Sequence, residues 1–94
     1  MMYGVYMLFD NCSQSYVGAM TLIKNDAVAI RSFKDLLVSD NPNFPYKNMA
    51  SDINLMKIGE FNVESGDFVS KKELICNLGN LLDEMVKGKV VNGK

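Results

Sequence analysis

The stretch DINLMKIGEFNVESGDFV, residues 52–69, decides how the rest of the chain is read. It contains two apolar runs separated by Glu64-Ser65-Gly66-Asp67, a turn in which Gly66 suits a positive φ. That pattern predicts a β-hairpin. Its first strand, residues 53–61, breaks strict alternation: Ile53 and Leu55 fall on one face, Met56 and Ile58 on the other. Either both faces are covered or a bulge near Gly59 shifts the phase. Phe68 and Val69 begin the returning strand.

Upstream, residues 3–9 alternate as a strand, with Tyr3, Val5, Met7 and Phe9 on one face and Gly4, Tyr6 and Leu8 on the other. The turn-rich segment 10–15 leads to a second strand over residues 16–23, where Gly18 marks a bulge or a close backbone approach. Asn25 is placed to cap a helix that opens with Asp26. Its apolar side is Ala29, Ile30, Phe33, Leu36 and Leu37, while Arg31, Lys34 and Asp35 face outward. This helix should fade over residues 38–40, before an irregular connection (residues 41–46) that holds both prolines. Downstream, Ser70-Lys71-Lys72-Glu73 has the form of a capping box. The helix it would start carries Leu74, Ile75, Leu78, Leu81, Leu82 and Met85 on one stripe and stops at Lys87-Gly88. The predicted fold is α+β, in the order ββαββα: one antiparallel sheet with two helices packed on it. A single domain covers residues 1–88, followed by a frayed tail, 89–94.

At 94 residues the chain buries about 60–65% of its unfolded surface, enough for one core. Ten Lys or Arg stand against eleven Asp or Glu, a formal charge of −1. A nucleic-acid partner must therefore be met by a local patch. There is no histidine, so zinc sites of the usual Cys/His kinds and Ser-His or Cys-His nucleophile pairs are excluded. Neither a GxxxxGK[ST] loop nor a GxGxxG after a strand is present. Cys12 and Cys76 are far apart and read as reduced thiols of a cytoplasmic protein. The opening run MMYGVYMLF has no basic residue before it and is too short for a membrane span. Glu60, Glu64 and Asp67 read as solvated turn and edge residues. The expectation is a protein with no enzymatic activity, no cofactor, no metal and no membrane partner.

A binding surface is the remaining possibility. Tyr3, Tyr6, Phe9, Tyr16, Phe61 and Phe68 lie on strands, and a base stacked on an exposed ring is worth about 1–3 kcal/mol. Most of these rings read as core, and Tyr6, on the less apolar face, is the best candidate for exposure. Lys24, Arg31 and Lys34 could form a ridge along the first helix. Lys71 and Lys72 would occupy the first turn of the last helix, where the dipole disfavours cations, so a phosphate would give them a purpose. Solubility at an exposed edge is the plainer explanation.

The N-terminal strand ending Phe9-Asp10, the segment KNDAVAIRSFKDLL (24–37) and above all LMKIGEFNVESGDF (55–68) resemble the small nonstructural protein of gokushovirus-type microviruses, the single-stranded DNA phages. The resemblance covers residues 2–69; the C-terminal helix departs from it, and the proline loop varies in length. It implies a DNA-binding protein of the host cytoplasm with a role in genome replication or the switch to single-strand synthesis, and it brings no catalytic residues. The matched positions are Arg31, Phe33, Gly59, Glu60, Phe61 and Gly66. Phe33 and Phe61 read as core, the glycines as backbone requirements, and Arg31 as a phosphate contact.

Two functions stay open. One is a single-stranded DNA-binding accessory protein of replication or packaging, using Lys24, Arg31, Lys34, Lys71, Lys72 and Tyr6. The other is a homodimeric interaction module that engages a phage or host replication or assembly factor through Leu74, Leu78, Leu81 and Met85 of the last helix, which follow 4-3-4 spacing.

Overall fold

The computed structural model describes residues 1–39 and 42–92, with side chains to residue 85. Four strands, β1 (Met2–Asp10), β2 (Ser15–Ile23), β3 (Ile53–Asn62) and β4 (Phe68–Asn77), form one antiparallel sheet in the order β2-β1-β3-β4. Helix α1 (Asp26–Val38) follows β2 and helix α2 (Leu78–Asn92) follows β4. The α+β class and the ββαββα order are as the sequence indicates. Within the proline-containing connection the chain forms a 3₁₀ segment, Pro45–Asp52, kinked at Met49. Pro45 sits at its start, where a missing N–H costs nothing.

Both helices pack on one side of the sheet. The core joins Tyr6 and Leu8 of β1 and Ile53 and Leu55 of β3 to Ala29 and Leu37 of α1, Ala50, and Leu78 and Leu81 of α2. Phe33 is half-buried against this cluster, and Phe61 is half-buried on β3. Asn25 caps α1 by accepting from the Val28 amide at 2.9 Å. Ser39 follows α1 as its C-cap; the fading expected at Asp40, the Asn41 start of the loop, and tail residues Gly93 and Lys94 lie outside the described residues.

The irregularities fall at the glycines. In the β1–β2 ladder the register jumps between Tyr6↔Thr21 and Leu8↔Val17, and Gly18, with φ +78°, lies in the extra loop of chain. In β3, Val5↔Gly59 is followed by Tyr6↔Lys57, which leaves Ile58 bulged beside Gly59 and resets the alternation. Gly66 has φ +81° in the β3–β4 turn.

The C-terminal third differs from expectation. Ser70-Lys71-Lys72-Glu73 is not a capping box. It lies inside β4, with Ser70 opposite Gly59 and Glu73 opposite Lys57. Continued pairing with the ten-residue β3 supplies backbone partners for this segment, so the helix start moves to Asn77, whose side chain accepts from the Asn80 amide at 3.1 Å. At its other end α2 runs to Asn92, past the stop expected at Lys87-Gly88.

Candidate nucleic-acid interface

Strand register assigns every side chain of the sheet to the helix-covered face or to the opposite, uncovered face. Gly4, Tyr6 and Leu8 share the covered face with Ile53, Leu55, Lys57 and Glu60. The uncovered face consists of four rows. Tyr3, Phe61 and Phe68 are in register across β1, β3 and β4. Next come Leu22, Val5, Gly59 and Ser70. Met7, Met56 and Leu74 form the third row. Tyr16, Phe9 and Asn54 form the fourth, with Asn77 beyond.

All the strand aromatics except Tyr6 are therefore on the uncovered face, where two are open to solvent and Tyr3, Phe9 and Phe61 are half-buried. Tyr16 is 37% exposed and Phe68 48%. Phe9 and Tyr16 pack edge to face with ring centroids 5.0 Å apart. The Phe68 ring rests over Gly59, where a Cβ would also stand 2.5 Å from the Val69 carbonyl oxygen. Glycine is needed there for the ring to lie against the backbone. Leu22 and Leu74 extend the exposed apolar surface between the rings.

Charge is divided between the two faces. Asp26, Glu60, Glu73 and Lys57 belong to the helix side, where the Lys57 ammonium lies 3.5 Å from Glu60 and 3.8 Å from Asp26. Alternation along β4 from Phe68 to Leu74 places Lys72 on the uncovered face and Lys71 on the other. Among the described strand residues that face carries Lys72 and no carboxylate.

The residues expected to bind nucleic acid fall in different places. Tyr6 is a correction: it is 0% exposed, and its hydroxyl donates to Asp26 Oδ1 at 2.5 Å. Its ring folds back over Gly4, which has no side chain to obstruct it. Burial first, then the Asp26 hydrogen bond and the charges of Asp26, Glu73 and Glu60, push the phenol well above its usual range. A buried ring cannot stack on a base. Lys71 and Lys72 are also corrected, from a helix N-terminus to the exposed outer strand β4. Lys24 and Arg31 are exposed and Lys34 is half-buried, all at or on α1 behind the sheet. Because β2 and β4 are opposite edges, the expected cations do not form one patch. The supposed α2 seam is likewise dissolved: Leu74 belongs to β4, and Leu78 and Leu81 are core.

Tyr3, Phe9, Tyr16, Phe61 and Phe68 read mostly as core from the sequence, with Tyr6 preferred for exposure, and the structure reverses that order. The signal was present in Tyr3-Val5-Met7-Phe9, a wholly apolar strand face, with two amphipathic helices too few to cover both sides of a sheet.

Both thiols are free. A hydrogen bond and negative charge from Asp52 raise the Cys12 thiol, and burial raises that of Cys76, so neither is activated as a thiolate. Among the described residues no helix is long and apolar enough to cross a membrane.

No curated protein and no solved structure matches this chain. A family model does, that of the phage ORF5 protein, over residues 3–81. The match runs through β4 and into α2, past the residue-69 end of the sequence resemblance, and takes in all of the sheet except Met2. The chain belongs to the phage ORF5 protein family.

Proposed function

We propose that this phage accessory protein binds single-stranded DNA during genome replication or packaging, without catalytic activity of its own, by laying the strand across its uncovered sheet face. The observation that carries this reading is the set of five rings on that face, drawn from all four strands. Unpaired bases have exposed π-faces that such rings can accept without regard to sequence. Lys72 on the face supplies a phosphate contact, and the absence of a carboxylate among the described strand residues of that face removes the nearest source of repulsion. Lys24, Arg31 and Lys34 take no part.

The test is a titration of tyrosine fluorescence with an oligothymidylate at two salt concentrations. Binding should weaken with salt by a log–log slope of about −0.7 per phosphate contact, hence about −0.7 for Lys72 alone. Lys72→Glu should abolish most of that slope, and Lys71→Glu, on the other side of the sheet, should leave most of it. Binding that is absent, or equally tight in Lys72→Glu, rules the reading out.

A second occupant of the same face is another copy of this chain, acting as an interaction module. Its support is the aliphatic and methionine middle of the face. Light scattering separates the two. A dimer mass that Leu74→Lys reduces to a monomer, together with no DNA binding, would assign the face to self-association.

A further inference from the structure

We infer that the uncovered face holds two separate stacking subsites, so its ligand is a single strand long enough to bridge both. This rests on the DNA-binding reading above and specifies the length of strand that it requires. Tyr3, Phe61 and Phe68 form one subsite at the end of the sheet near the β3–β4 turn, and Phe9 with Tyr16 forms the other at the opposite end. Tyr3 and Phe9 are six positions apart on β1, a separation of about 20 Å at roughly 3.3 Å per residue. The two rows between them contribute no aromatic residue, being Leu22, Val5, Gly59 and Ser70, then Met7, Met56 and Leu74; the Phe68 ring that leans over Gly59 belongs to the first subsite. Stacking is therefore confined to the two ends.

The position of Lys72 fits a bridging strand. On β4 it lies between Ser70 and Leu74, level with the middle rows of the face. A strand that stacks bases at both ends must carry its backbone across that middle, where the ammonium group can meet a phosphate. At about 3.4 Å per nucleotide, a stacked strand covers 20 Å in roughly six nucleotide steps. A trinucleotide can occupy either subsite but not both.

The experiment compares labelled oligothymidylates of about three and about ten nucleotides by fluorescence anisotropy. It uses the wild-type chain, Phe68→Ala, Tyr16→Ala, their combination, and Lys72→Ala. Both rings are at least one-third exposed, so the variants should fold, and circular dichroism confirms it. The longer strand should bind wild type about 100-fold more tightly, and each single ring variant should weaken it roughly 5- to 100-fold. The trimer should lose no more than about twofold in either ring variant, and should lose binding only in the combination. Lys72→Ala should weaken the longer strand and leave the trimer unchanged. A length advantage under about threefold, or abolition of trimer binding by one ring variant, overturns the two-subsite arrangement while leaving DNA binding intact. Failure of wild type to bind either length overturns DNA binding itself.

Discussion

Tyr6 ties β1 to the start of α1. Its ring is in the core, and its hydroxyl reaches Asp26, the first residue of the helix. Tyr6→Phe keeps the ring and removes the hydrogen bond. The Asp26 side chain remains about half open to water, which can replace the lost donor, so the cost should be about 1–2 kcal/mol in a urea titration. The same contact sets an alkaline limit. Because the folded phenol titrates above the unfolded value of about 10, its contribution is complete below that pH and is lost as pH rises beyond it. Wild-type stability should therefore fall above about pH 10, and Tyr6→Phe should remove part of that slope. An identical slope in the two proteins would show that Tyr6 ionises as readily folded as unfolded.

At the scale of elements, the junction between β4 and α2 gives the sharpest contrast. Asn77 accepts from the Asn80 amide and donates to Ser51 O at 3.0 Å and Asn54 Oδ1 at 2.9 Å, so one side chain caps α2 and fastens it to β3 and the 3₁₀ segment. Asn77→Ala should cost about 1–2 kcal/mol, whereas Ser70→Ala, in the exposed strand, should stay within about 0.5. Chemical denaturation of both variants checks this, and a larger loss at Ser70 would restore the capping box. The hairpins, the Asn25 cap, the Gly18 and Gly59 irregularities and the Gly66 turn were legible because each depends on local backbone chemistry. The capping box misled because Ser, two Lys and Glu fit a helix start equally well when tertiary pairing is ignored. Only the length of β3, which needs a partner as long as itself, argued otherwise. The uncovered face was illegible for a related reason: periodicity identifies which residues share a side of a strand, but not which side the helices will cover.

For the molecule as a whole, the two faces of the sheet impose different constraints on the same residue type. Leu55 is fully buried beneath the helices and Leu74 is 58% exposed on the uncovered face. Leu55→Ala should cost about 2–5 kcal/mol, a large share of the stability of so small a domain, and Leu74→Ala less than about 0.5. Equal shifts in thermal midpoint would mean that the uncovered face is packed in solution. Folding stability is thus concentrated on the covered side of the sheet, so exposed residues of the uncovered side can change with little effect on folding. The strand order adds a temporal consequence. β1 leaves the ribosome before its three partner strands, yet it lies inside the sheet, flanked by β2 on one side and by β3, some fifty residues later in the chain, on the other. A nascent chain that ends before β3 leaves one full edge of β1 open, along with the core side chains of its covered face. The sheet can close only once β3 has emerged, and a product released before then would expose a sticky hairpin to chaperones and proteases.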